Sequence, residues 1–248
     1  MIEVRQLKKR FGPQPVLNGV DLRVETGEAV VIIGRSGGGK SILLKHVIGL
    51  LHPDEGEVLI DGENIAHMTE RELLKVRRKF GMLFQGAALF DSMTVAENVS
   101  FVLRRERRLS ESEIAGKVDE ALEMVDLSGT QNKKPVELSG GMRKRVGLAR
   151  AIVYQPQIVL YDEPTTGLDP IVSDSIDQLI VRVRERLQVT TVAVTHDMRS
   201  ARRIGQRILM LHQGRIHFSG TPTEIFKSDD PVVNRFVNGI SDPKEMSF

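Results

Sequence analysis

Apolar residues fall into two patterns that alternate along this chain. Short runs rich in β-branched residues are separated by longer stretches in which apolar side chains return every three or four positions. Glu28 to Ile33, with Ala29-Val30-Val31-Ile32-Ile33 uninterrupted, reads as a buried strand, followed by a glycine loop and a helix from about Lys40 to Leu50. Glu57 to Ile60 reads as a strand closed by Asp61-Gly62, and Phe80 to Phe84 as another. From about Ser92 to Ala151 no strand pattern occurs and helical spacing takes over. There Glu111 to Val125 puts Ile114, Val118, Ala121, Leu122 and Val125 on one face. Strands resume at Ile158 to Tyr161, Thr191 to Thr195 and Arg207 to Leu211, and Thr221-Pro222-Thr223-Glu224 reads as a capping box with proline at the first helical position. There is no internal repeat. The alternation predicts an α/β fold: a mostly parallel core interrupted by a helical insertion.

Composition narrows the picture modestly. The 248 residues suffice for one large α/β domain, or a core with a small lobe. Apolar residues at 40% and charged ones at 27% belong to a folded chain rather than a disordered one. No run approaches the roughly 18 apolar residues of a membrane helix. Met1-Ile2-Glu3-Val4-Arg5 is no charged-then-apolar leader, so the expectation is a chain that stays inside the cell. The absence of cysteine excludes disulfides and thiolate metal sites. Net charge is only +2; the basic runs Arg77-Arg78-Lys79 and Arg104-Arg105-Glu106-Arg107-Arg108 read as solvated helix faces, and aromatics for base stacking are scarce at 4%. No nucleic-acid partner is expected.

Chemistry enters with Gly34-Arg35-Ser36-Gly37-Gly38-Gly39-Lys40-Ser41, which satisfies G-x-x-x-x-G-K-[ST] between a buried strand and a helix. Glycines let successive N–H groups turn toward phosphate oxygens, and the helix N-terminus adds its positive dipole end. Lys40 supplies a point charge for the β- and γ-phosphates, and the Ser41 hydroxyl is a ligand for Mg²⁺.

Further elements follow in a particular order: Gln85 after the strand from Phe80; Leu138-Ser139-Gly140-Gly141-Met142 before a helical stretch from Arg143 to Val153; Ile158-Val159-Leu160-Tyr161-Asp162-Glu163; Gly167-Leu168-Asp169; and His196 after Val192-Ala193-Val194-Thr195. In this order the chain resembles the ABC (ATP-binding cassette) ATPases along nearly its whole length. The resemblance implies a P-loop NTPase (RecA-like) core with an antiparallel β part and an inserted helical subdomain at about 90–152, in a single nucleotide-binding domain of residues 1–248 with a short helical tail at about 229–248. Its residue roles carry over as follows. Asp162 holds Mg²⁺ with Ser41, Glu163 polarises the attacking water as general base, and Gln85 contacts Mg²⁺ and water. His196 contacts the γ-phosphate. Ser139, Gly140 and Gly141 form the signature that faces the γ-phosphate of the other subunit, Asp169 belongs to the D-loop, and Phe11 stacks on adenine.

The same resemblance implies a head-to-tail dimer with two ATP between the subunits, closing on ATP and reopening on hydrolysis to drive a separate integral-membrane permease from the cytoplasmic face of the inner membrane. Within the family, Leu89-Phe90-Asp91-Ser92-Met93-Thr94-Val95 with Glu97-Asn98-Val99, Gly141-Met142-Arg143-Lys144-Arg145-Val146 and Val237-Asn238-Gly239-Ile240 are similar to the ATPases of MCE-protein lipid transporters of the Mla type. An MCE-domain lipid-binding protein is then an expected partner, and a small STAS-type subunit a further candidate. The competing readings are an importer ATPase for amino acids or another small solute, a non-transport ATPase acting on DNA or ribosomes, and a regulatory module without turnover. The acids at 162 and 163 with His196 argue against the last.

Overall fold

A computed structural model describes residues 1–106 and 109–241; Arg107, Arg108 and the last seven residues of the expected tail lie outside the described residues. The described chain forms two compact units, residues 1–74 with the chain from Val192 onward, and residues 75–191.

The first unit opens on strands β1 (Ile2–Phe11) and β2 (Gln14–Val24), then β3 (Ala29–Ile33), helix α1 (Lys40–Val47), β4 (Glu55–Ile60) and β5 (Glu63–Asn64). An antiparallel sheet runs in the order β2-β1-β4-β5. Sequence patterning missed β1 and β2. Their register shifts between Val4 and Leu7, between Leu7 and Lys8, and between Lys9 and Arg10, and Gln6 has φ 47°, so the two-residue alternation that marks a strand is interrupted. β3 is buried at all five positions, as its apolar run predicts. Helix α2 (Glu70–Arg77) crosses the boundary between the units.

The second unit holds β6 (Phe80–Leu83), α3 (Val95–Glu106), α4 (Glu111–Met124), α5 (Gly140–Ile152), β7 (Ile158–Asp162) and α6 (Pro170–Leu187). β6 and β7 pair in parallel. Between them in sequence only helices occur among the described residues, because the apolar positions recur at helical spacing. α4 buries Ile114, Val118, Ala121 and Leu122, and Ser110 with Glu113 closes its capping box. α5 packs on β6 closely enough that a Cβ on Gly81 would lie 2.2 Å from the Ala151 carbonyl oxygen. The basic runs meet acids locally: Arg78 pairs with Glu106 at 3.1 Å, and Arg104 with Glu111 at 2.6 Å.

β8 (Thr190–Thr195) starts in the second unit and ends in the first, which continues with α7 (Met198–Ile204), β9 (Arg207–His212), β10 (Arg215–Gly220), α8 (Pro222–Phe226) and α9 (Pro231–Val237). Here the strand order is β10-β9-β3-β8, with β3 and β9 parallel and β10 antiparallel. The capping box at Thr221 and Glu224 is present. No described helix is long and apolar enough to cross a membrane.

Candidate functional site

In the first unit the glycine loop joins β3 to α1. A Cβ on Gly34 would sit 2.4 Å from the Leu211 carbonyl oxygen, so the strand end leaves room for glycine alone. Gly39, at φ +95°, is the N-cap of α1, and a Cβ there would meet Val16 and Leu17 at 3.0–3.2 Å. That glycine has a consequence for charge. Helices α4, α5, α6, α7, α8 and α9 each have a Ser, Asp or Thr side chain accepting from their first-turn N–H groups; α1 has no side-chain cap and no acid in its first turn. Its N–H groups and dipole therefore face an exposed loop, Arg35 to Gly37, in a geometry that suits an anion.

Lys40, 5% exposed, donates from Nζ to the carbonyls of Gly34 (2.8 Å) and Arg35 (3.0 Å), which folds the ammonium under the loop. Ser36, Gly37, Gly38 and Ser41 complete the loop. Phe11 ends β1 at 48% exposure, with the Lys9 ammonium 5.8 Å from its ring centroid. His196 is exposed at the end of β8, beside Asp197, which caps α7 through Arg199 and Ser200 N–H groups.

In the second unit β7 ends on Asp162, and Glu163 follows; both are 7% exposed. Glu163 has φ 49°, a left-handed backbone that costs a non-glycine residue about 1–2 kcal/mol, and it precedes Pro164, where an extended backbone is the norm. Thr166 holds the conformation in place, its hydroxyl donating to Glu163 Oε2 at 3.0 Å and its N–H to the Glu163 carbonyl at 3.3 Å. Gln85 is exposed just beyond β6. Ser139 caps α5 by accepting from Met142 N–H at 3.3 Å. Gly140 and Gly141 pack against the segment from Leu168 to Val172: a Cβ on Gly141 would come within 2.6 Å of Val172 Cγ1, and one on Gly140 within 3.2 Å of Leu168. Asp169 caps α6, accepting from Ile171 and Val172 N–H groups at 3.0 Å each.

Each unit by itself carries groups suited to part of a Mg²⁺-polyphosphate. In the first, the glycine cradle that a Cβ would fill, the uncapped helix and the lysine suit phosphate, and the Ser41 hydroxyl is a hard oxygen donor; in the second, the Asp162 carboxylate is another of the kind Mg²⁺ takes.

Sequence reasoning gives no individual role to three side chains that shape this unit: Asn98 and Lys144 enter it only within segments of family likeness, and Arg150 not at all. Lys144 on α5 is 5% exposed; its Nζ donates to the Gln85 carbonyl and, at 3.3 Å, to the Glu163 carbonyl. Burial pushes its pKa below the ordinary lysine value, against the opposing charges of Asp162 and Glu163. Arg150, two turns further on, donates to Ala88 (2.6 Å) and Ala87 (2.7 Å) carbonyls, and Asn98 of α3 accepts from Phe90 N–H while donating to the Phe90 carbonyl. In the run Arg143-Lys144-Arg145 nothing distinguishes a buried lysine from a solvated one. The available signal is the stripe Gly141, Lys144, Leu148, Ala151, in which Lys144 occupies a core position at helical spacing.

Comparison with known proteins bears on the family. The family model described as ABC transporter matches residues 17–166. The chain is 44% identical over 96% of its length to the "Probable ribonucleotide transport ATP-binding protein mkl" of Mycobacterium leprae, and spans 69% of that protein. Against the same protein of Mycobacterium bovis it spans 66%, so it covers about two thirds of these relatives. It is 39% identical to the Haemophilus influenzae "Intermembrane phospholipid transport system ATP-binding protein MlaF", over 98% of this chain and 92% of that one. It is 40% identical to the Caulobacter vibrioides "Sulfate/thiosulfate import ATP-binding protein CysA", over 90% of this chain and 66% of that one. Among solved structures, the dimeric post-hydrolysis state of the ATP-binding cassette MJ0796 bound to ADP and Pi matches with TM-score 0.82 and 36% identity, over 90% of this chain and 99% of that one.

Proposed function

Because this chain belongs to the ABC transporter ATP-binding family and is an ATPase of that kind, we propose that it powers a phospholipid transporter by closing and reopening as a dimer around two ATP molecules. The observation that carries the ATPase part is α1, the helix left without a side-chain cap beneath the glycine cradle, with Lys40 folded under it. In this reading Lys40 leaves the Gly34 and Arg35 carbonyls for the β- and γ-phosphates, and Phe11 stacks on adenine. Mg²⁺ neutralises phosphate charge when bound, with Ser41, Asp162 and Gln85 as its protein contacts. Glu163 accepts a proton from the attacking water, a role worth roughly 10²–10⁴ in rate. His196 donates to the γ-phosphate. Ser139, Gly140 and Gly141 present the start of α5 to the γ-phosphate held by the second copy, and Asp169 lies at the D-loop beside it. The dimer is a population shift: the γ-phosphate contacts the closed state and not the open one.

Residues 90–152 act in this proposal as the helical subdomain that meets a membrane permease, at the cytoplasmic face of the membrane, with an MCE-domain protein as a further partner. Support for phospholipid comes from the alignment with MlaF, which takes in 92% of that protein, together with the segment from Leu89 to Val99. The second reading, a small-solute importer, is favoured by the similar identity to CysA. Copurification from the native cell tests the choice. A multi-spanning permease with an MCE-domain protein, and ATPase activity in liposomes that responds to phospholipid, is the expected result. A permease with a solute-binding protein, and activity that follows sulfate or an amino acid, overturns the lipid assignment.

A further inference from the structure

We propose that Lys144 is a positioning residue for ATP hydrolysis: by tying α5 to the carbonyls of Gln85 and Glu163 it sets where both side chains stand. The proposal rests on the reading above, in which those two residues serve the hydrolysis.

Lys144 lies one turn into α5, behind the signature Ser139 that caps the helix. Its ammonium carries three donors, and its acceptors Gln85 and Glu163 are 59 and 19 residues away. A lysine at 5% exposure is an expensive choice for a place that only needs filling, since leucine or methionine of similar length would bury without desolvating a charge. What a lysine adds is directional bonding to the backbone of two distant segments at once. Both acceptors need fixing. Glu163 holds a left-handed backbone at φ 49°, and Gln85 opens a turn in which Ala87 and Ala88 have φ 61° and 49°. Such backbones persist only where their surroundings over-determine them.

The same helix holds the Gln85 turn a second time, through Arg150 to Ala87 and Ala88. α5 therefore grips the turn at two points six residues apart and the Glu163 carbonyl at one. Loss of the Lys144 point frees the end of the turn that carries Gln85 and one of the bonds on the Glu163 carbonyl, while Arg150, Thr166 and the packing of Gly147 on Leu83 and Ala87 keep the fold. The expected defect is thus in the placement of two side chains, not in nucleotide binding by the loop at Lys40.

The test measures ATP binding, phosphate release and thermal unfolding for the full chain carrying Lys144→Met, Lys144→Gln or Lys144→Arg, with Glu163→Gln beside them. Lys144→Met is expected to lower kcat about 10- to 100-fold, the size of a misplacement of about 1 Å, with ATP affinity retained. Lys144→Arg, which keeps charge, reach and donors, is expected to recover most of the loss, and Lys144→Gln part of it. A folded Lys144→Met chain with the parent kcat, or a Lys144→Arg chain as slow as Lys144→Met, overturns the proposal. If Lys144→Met does not fold, Lys144→Gln decides: parent kcat, or ATP affinity falling in step with kcat, overturns it. Turnover by Glu163→Gln at the parent rate would instead remove the reading of Glu163 on which the proposal rests. Glu163→Gln inactive beside Lys144→Met at full rate removes only the positioning role.

Discussion

Lys40 and Lys144 are each 5% exposed, and each ammonium donates to two backbone carbonyls, Gly34 and Arg35 for the first, Gln85 and Glu163 for the second. Their surroundings differ. The acceptors of Lys40 lie five and six residues back in its own exposed loop, above a helix start that has no side-chain cap. Those bonds are local, and phosphate oxygens can replace them without moving any other element. The acceptors of Lys144 come from two distant segments, so its bonds are tertiary and their loss moves the segments. In the proposed function, identical donor chemistry serves a ligand in one place and architecture in the other, in line with the sequence distance to the acceptors. Lys40 follows glycines and the other interrupts a core stripe.

The comparison breaks most visibly through Glu163, whose carbonyl one of the two lysines holds. Glu163→Gln keeps the shape and cannot accept a proton, so phosphate release should fall by roughly 10²–10⁴ while ATP still binds; turnover near the parent rate would remove Glu163 from the chemistry. Lys40→Ala should weaken ATP binding on the order of 10²–10³-fold, as expected for losing two charge-assisted bonds to phosphate. Its thermal midpoint should stay close to that of the parent, since both acceptors belong to the loop that immediately precedes it. A large drop in midpoint with ATP affinity intact would reverse the roles given to the two lysines.

Much of this is legible in the amino-acid sequence. The buried run Ala29 to Ile33, the glycine loop after it and the two acids at the end of β7 are local features: adjacent residues whose meaning does not depend on distant ones. So is the capping box at Thr221. The bulged strands β1 and β2 were not legible, because Gln6 at φ 47° and three register shifts scramble the alternation; the antiparallel part was expected from the family resemblance alone. α6 was passed over although Asp169-Pro170 marks its start, since the D-loop reading absorbed those residues first. Lys144 and Arg150 were invisible for a deeper reason. Their partners are carbonyls, which every residue possesses, so no sequence pattern records the pairing.

Smaller effects sharpen the contrast within the second unit, where the candidate site residues also carry structure. Gly141→Val forces a side chain against Val172, where a Cβ alone would come within 2.6 Å, and should destabilise the chain by about 1–3 kcal/mol in urea unfolding. An unchanged urea midpoint would mean that α5 and α6 yield more easily than their packing implies. Asp169→Ala removes the α6 cap and should cost about 1 kcal/mol, with the midpoint of thermal unfolding lowered by about 2–4 °C for a chain of this size. A loss several times larger would point to bonds beyond the two cap contacts.

The most direct test of the central claim, that ATP is the glue of a dimer and its hydrolysis the release, is sedimentation of the 248-residue chain carrying Glu163→Gln with ATP and Mg²⁺. The prediction is a dimer holding two nucleotides per pair that returns to monomer when ATP is removed or replaced by ADP. A chain that binds ATP stoichiometrically and sediments as a monomer at every ATP concentration would contradict it.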